Sequence, residues 1–195
     1  LALDLDGTLL RSDGRVDDRD VAAIGELRRS GVAITIVTGR LHSGSVGAAD
    51  SPEAAAGRET TARAVLKSGE VGEMVETMTP RLFARSTFRA KPSIIPPIEA
   101  VMEGTSPVGV AGALRGMAAR PDLRDRLRDV AVPTLVVVGE EDVISPPDEA
   151  RAMAESLPAG RLIVIPQAGH LSPYENPEAF NAAALDFLKD LPSHA

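Results

Sequence analysis

The chain has 195 residues, 44% of them hydrophobic and 25% charged, which suits one domain or one domain with an insert. Its net charge of −7 argues against a nucleic-acid backbone or an anionic membrane as partner, and no apolar run is long enough to span a bilayer. Without cysteine there is neither a disulfide nor a thiol nucleophile, which suits a reducing cytoplasm. Tryptophan is absent and tyrosine occurs once, so the core is expected from Ala, Val, Leu and Ile. The first residue, Leu1, already lies in an apolar strand pattern. A native start a few residues upstream is therefore expected, and no basic-plus-apolar leader is visible.

Residues 1–5 read as a short strand ending in acids. Asp17 can cap a helix whose Val21, Ile24 and Leu27 share a face and which Gly31 stops. Residues 32–37 are β-branched and read as a second strand, so the opening is a right-handed parallel unit. Residues 51–130 differ. Ser51-Pro52 is a helix start, and alanine-rich helices follow, broken by Gly69, Pro80, Pro92, Pro96, Pro97 and Pro107. Residues 134–138 then read as a continuous buried strand, Ser145-Pro146 as a helix start, and 162–165 as another strand. Asn176-Pro177 opens a last helix with an apolar stripe of Phe180, Ala184, Phe187, Leu188 and Leu191.

These elements predict an α/β fold: a doubly wound, Rossmann-like parallel sheet of about four strands, with residues 1–50 and 131–195 as core and 51–130 as a helical cap or insert. The expected strand order is second, first, then 134–138 and 162–165. So small a sheet leaves edges open, and self-association as a homodimer would cover them.

The chemistry at the amino end lies in Asp4, Asp6, Gly7 and Thr8. Asp4 and Asp6, two apart on a strand, can converge on one side, beyond the carboxyl end of a parallel strand where ligands bind. Two adjacent carboxylates repel unless a cation sits between them, and Mg²⁺ suits oxygen donors. Gly7 permits close approach of backbone N–H groups to a phosphate. With Asp4-Leu5-Asp6-Gly7-Thr8 and Thr38-Gly39-Arg40 in place, residues 1–49 resemble the start of a haloacid-dehalogenase-superfamily phosphatase of the Cof-like type. The resemblance implies Asp4 as the phosphorylated nucleophile and Asp6 as acid/base. It also implies Thr38 as a hydrogen-bond partner of the phosphoryl group, with Gly7, Thr8, Gly39 and Arg40 beside the substrate. The family's later lysine or arginine and its Gly-Asp-x-x-x-Asp strand end do not occur in their usual form. Arg40, Lys67 and Lys91 are the candidate cations.

Residues from about 50 to 191 resemble something else: the cap and carboxyl-terminal half of an α/β-hydrolase of the esterase or lactonase type. The strand followed by Gly139-Glu140-Glu141-Asp142 is similar to that family's acid-bearing strand end. The loop from Pro166 to Leu171, with Gly169-His170, is similar to its histidine loop. The resemblance implies Asp142 as orienting acid and His170 as base of a Ser-His-Asp triad. The string nearest to a nucleophile elbow is Ser43-Gly44-Ser45-Val46-Gly47, whose first position is Ser and which lies several residues past a strand end.

The sequence therefore reads as a chimera joined near residues 48–52. If strand 134–138 lies beside the first strand, Glu140, Glu141 and Asp142 emerge near Asp4 and Asp6 and could complete a Mg²⁺ site. Three expectations follow. The leading one is a Mg²⁺-dependent phosphatase acting on a small phosphate ester through Asp4. The alternatives are an esterase or lactonase using His170 and Asp142, and a folded but catalytically silent chimera.

Overall fold

The computed structural model describes residues 49–191 together with two strands, β1 (Ala2–Asp4) and β2 (Thr35–Val37). The expected helix at 17–31 lies outside the described residues, as do Asp6, Gly7, Thr8, Thr38, Gly39, Arg40 and Ser45. Strands β1 and β2 pair in parallel, with Leu3 opposite Ile36 and Asp4 opposite Val37, as the opening pattern predicts.

Between residues 52 and 118 lie five α-helices, α1 at Pro52–Ser68, α2 at Gly72–Leu82, α3 at Arg85–Ala90, α4 at Ile95–Glu103 and α5 at Pro107–Ala118. Ser51 caps α1 through its hydroxyl, which accepts from the Ala54 N–H at 3.2 Å. Gly69 ends the helix at φ 72°, where its N–H reaches the Val65 carbonyl at 3.0 Å. Most of the prolines act as starters. Pro52, Pro96 and Pro107 sit in first turns, where a missing N–H costs no intrahelical bond. Pro80 corrects the expectation of a break, because it lies inside α2. It falls in the last turn, where the helix is ending anyway and only one backbone bond is forfeited.

Helix α1 packs along α5. Val65, Val71, Val75 and Val110 form a buried cluster there, filled out by Met74, Met102 and Leu114. Glu59 on α1 ties the pair from outside by accepting from Arg115 Nε at 2.8 Å and from Arg63 Nε at 2.8 Å. The two guanidiniums, Arg115 foremost, hold its carboxyl down to about 2. Gly57 on α1 and Gly112 on α5 have open space where a side chain would start. Gly57→Ala and Gly112→Ala should therefore each stabilise the chain by about 0.5–1 kcal/mol, read from denaturant midpoints at unchanged m-value.

A second layered unit follows a 3₁₀ turn at Arg124–Asp129. Strand β3 (Thr134–Gly139) pairs in parallel with β4 (Gly160–Ile165), with Val136 opposite Leu162 and Gly139 opposite Ile165. Among the described residues the ladders run as two separate pairs, β1–β2 and β3–β4, not as one four-stranded sheet. Helix α6 (Pro147–Ser156) packs on both β3 and β4, burying Ala150 and Ala154. The expected continuous burial of β3 is also corrected. Only its end, Val138 and Gly139, is buried, and residues 134–137 are half-buried. The short α7 (Ser172–Glu175) leads into α8 (Pro177–Lys189), whose Phe180, Ala184, Phe187 and Leu188 are half-buried as the stripe predicts.

Asn176 joins these last two helices. Its Oδ1 accepts from the Ala179 N–H at 3.2 Å, and its Nδ2 donates to the Pro166 carbonyl at 3.0 Å. Asn176→Ala removes the cap and this tie together, and should cost about 1–2 kcal/mol by chemical denaturation.

Candidate active site

Parallel strands present their carboxyl ends on one side, so the segments leaving β3 and β4 meet there. The β3 chain turns at Glu140, Glu141 and Asp142. The Asp142 N–H returns to the Gly139 carbonyl at 3.2 Å. The segment after β4 crosses directly over this turn, with Glu140 N–H on the Ile165 carbonyl at 2.9 Å and Glu141 N–H on the Ala168 carbonyl at 2.9 Å. Such a crossing requires glycine at 139. A Cβ there would stand 2.1 Å from the Gly169 carbonyl oxygen and 2.4 Å from that of Ala168. Gly169 is required for the same reason on its other side, where a Cβ would meet the Ala84 nitrogen at 2.7 Å.

This crossing brings Asp142 and His170 together. Asp142 Oδ2 lies 2.9 Å from His170 Nδ1. Its Oδ1 accepts from the Ile144 N–H at 2.8 Å and the Ser145 N–H at 2.9 Å. The Asp142 side chain is 5% exposed and that of His170 36%. Burial pushes the Asp142 carboxyl up. The His170 hydrogen bond, the Ser145 amide, the His170 charge and the Ile144 amide together outweigh it and leave the group below its ordinary value. Asp142 is therefore ionised at neutral pH and can only accept, so Nδ1 of His170 bears the proton. The second ring nitrogen, Nε2, then presents a lone pair, and among the described residues no hydrogen bond occupies it. This is the tautomer of a general base.

The lowered value fixes the sign of a pH effect. Asp142 contributes stability that is fully present above its unfolded value and is lost as pH falls through the lower folded one. Below about pH 4, wild type should lose denaturant resistance more steeply than Asp142→Asn.

The neighbouring acids have separate partners. Glu140 Oε2 accepts from the Gln167 N–H at 3.2 Å, where Gln167 takes φ 55° in the turn before His170. Glu141 accepts from the Ser86 hydroxyl, and from the Ser86 N–H at 3.3 Å, in the first turn of α3. The Ser86 hydroxyl, and then its amide, hold the Glu141 carboxyl below its usual value against the opposing pull of burial. Among the described residues no three His, Cys, Asp or Glu side chains form a group that could hold a metal ion. Of the five residues expected around Mg²⁺, the Asp4 side chain and the whole of Asp6 lie outside the described residues, while Glu140, Glu141 and Asp142 bond apart from one another. Lys67 is exposed, and Lys91 Nζ donates to the Glu175 carbonyl at 2.9 Å.

Glu175, 1% exposed, is a further polar residue of this region that the motifs do not single out. Its Oε1 accepts from the Gly169 N–H at 2.7 Å, and its Oε2 from the Ala84 N–H at 2.7 Å and the Thr87 hydroxyl at 2.6 Å. The only signal for it was an acid set directly before a helix cap at Asn176.

Residues 79–177 match the family model described as the alpha/beta hydrolase fold, which covers both the acid turn and the histidine loop. The chain belongs to the alpha/beta hydrolase fold family. Residues 1–50 match a second model, described as haloacid dehalogenase-like hydrolase, so two family signatures meet near residue 50. Among solved structures, this alpha/beta hydrolase chain is similar to a thermophilic esterase from Thermogutta terrifontis. The two share 39% identity at a TM-score of 0.72, over 86% of this chain and 60% of that one. It also matches a protein named as a non-heme bromoperoxidase, BpoC, of Mycobacterium tuberculosis H37Rv, at 48% identity over 61 residues, 31% of this chain and 23% of that protein. An enol-lactonase from Burkholderia xenovorans LB400 shares the fold at 22% identity and TM-score 0.66, over 88% of this chain and 71% of that one. The stretch matched in the curated relative is thus about a quarter of that protein's length.

Proposed function

We propose that this alpha/beta hydrolase chain hydrolyses a carboxylic ester or lactone, with His170 as general base and Asp142 as its orienting acid. The observation behind this reading is the 2.9 Å contact between Asp142 Oδ2 and His170 Nδ1 at adjoining strand ends. The likeness to an esterase at 39% identity supports the substrate class.

The steps follow from the tautomer. Nε2 takes the proton of an attacking hydroxyl as its oxygen bonds to the ester carbonyl carbon. The imidazolium so formed lies against ionised Asp142, which stabilises it and keeps the ring oriented. Nε2 then returns the proton to the departing alkoxide as the carbon–oxygen bond breaks. Asp142 keeps its charge throughout.

The source of the hydroxyl is open to direct measurement. Ser45 lies outside the described residues, and among the described residues no serine hydroxyl bonds to His170. Reaction with a fluorophosphonate followed by peptide mass spectrometry separates the two routes. A serine adduct identifies an acyl-enzyme, whereas ester turnover without an adduct identifies direct activation of water.

A second reading is favoured only by the match over residues 1–50: phosphoryl transfer through Asp4 with Mg²⁺, acting on a small phosphate ester. It has narrower support, since that match covers about a quarter of the chain and no solved relative described above is a phosphatase. Hydrolysis of p-nitrophenyl phosphate that requires Mg²⁺, is lost in Asp4→Asn and survives in His170→Ala would favour it over the ester reading.

A further inference from the structure

We infer that Glu175 is a positioning residue for His170, which it aligns on Asp142 by locking the histidine loop to the turn between α2 and α3. The inference rests on the reading of His170 as the base, and its test does not depend on turnover.

The loop carrying His170 is held on two sides. The Ala168 carbonyl is held from the core side by the Glu141 N–H at 2.9 Å. The His170 N–H is held from the helical side by the Leu82 carbonyl at 2.9 Å. Between them the Gly169 N–H has one partner, Glu175 Oε1, at 2.7 Å. The other oxygen of the same carboxylate holds Ala84 and Thr87, so one buried group bonds both the loop and the turn that receives it. A carboxyl group with two oxygens suits this place because its three partners, two backbone N–H groups and a hydroxyl, all donate to it. Gly169 lets the two backbones touch, and Glu175 fixes their registry.

Glutamine in this place fails by chemistry and not by shape. Its one carbonyl oxygen can serve Gly169 or the Ala84–Thr87 pair. Its NH₂ group must then face an N–H, which leaves two donors opposed. If the amide oxygen goes to Ala84 and Thr87, Gly169 is released and the histidine loop gains freedom. Thr87→Val is the milder probe, since it keeps the shape and removes one donor from the same carboxylate.

The test uses the full chain and observes the Nδ1–H proton of His170 by nitrogen–proton NMR below the unfolding temperature. Its exchange with water reports how tightly the ring stays on Asp142. We expect exchange to rise by about tenfold in Glu175→Gln, to rise less in Thr87→Val, and to return to the wild-type rate in Thr87→Ser. Amides of the α1–α5 pair should not change. An unchanged Nδ1–H in a folded Glu175→Gln overturns the inference. If Glu175→Gln does not fold, an unchanged Nδ1–H in Thr87→Val overturns it instead. A chain inactive toward esters still answers this question, whereas failure of the base assignment is read separately, from the esterase activity of His170→Ala.

Discussion

Replacing His170 by alanine should lower ester hydrolysis by about 10²–10⁴-fold while leaving the fold intact, because the ring is partly exposed and its loss removes the proton acceptor. Asp142→Asn should lower it by a comparable factor, through the tautomer. Oδ1 of residue 142 receives two backbone N–H groups, from Ile144 and Ser145. An asparagine must keep its carbonyl oxygen there, which turns its NH₂ toward His170 Nδ1. The ring is then forced to accept at Nδ1 and bear its proton at Nε2, where it can take none from a nucleophile. The effect should appear in kcat, with KM little changed, since the Asp142 side chain is buried and acts through the ring. Initial rates on p-nitrophenyl acetate measure both variants. Hydrolysis equal to wild type in both would exclude the acid–base assignment.

The largest loss of stability is expected from Gly139→Ala. An added Cβ would sit 2.1 Å and 2.4 Å from two carbonyl oxygens of the histidine loop. Both obstacles are backbone, so no side chain can rotate away, and the loop must move by about an ångström to reach ordinary contact. That movement strains the Glu141 N–H bond to Ala168 and the Glu175 bond to Gly169 together. We expect a cost of about 3 kcal/mol or more, against a gain for the same substitution at Gly112. Thermal or urea unfolding of the two variants side by side provides the check. A Gly139→Ala protein as stable as wild type would mean that the crossing is looser than the 2.1 Å approach implies. Surviving folded material should also show a displaced His170 ring.

Several features were legible because they depend on residues close together in the chain. Ser51-Pro52 and Asn176-Pro177 start helices through a side chain three residues from the N–H it caps. The strands expected at 134–138 and 162–165 follow from β-branched and apolar runs, and the structure extends them to 134–139 and 160–165. Pro80 departs from the expected break because a proline's effect depends on how near it lies to the helix end, and α2 closes three residues on with the Phe83 N–H on the Thr79 carbonyl. Strand β3 is half-buried and not continuously buried because an apolar run states what a strand can bury and not what covers it.

The choice between chemistries shows the same division. Asp4-Leu5-Asp6-Gly7-Thr8 is a compact motif that points to phosphoryl transfer. The family match over 79–177 covers Asp142 and His170, whose pairing spans 28 residues of chain. Local residue order established the strands, to within two residues, and the helix starts, and its resemblance to known motifs singled out the candidate acids and histidine. The resemblance of the acid turn and the histidine loop already paired Asp142 with His170, and the tertiary structure supplied their 2.9 Å contact. Only the tertiary structure decided that Glu141 turns to Ser86 and Glu140 to Gln167, and that Glu175 bridges two segments from within the core. The reason is geometric. A hydrogen bond is set by separations of about 3 Å, and between residues distant in sequence those separations exist only after the β3 and β4 ends have crossed at Gly139.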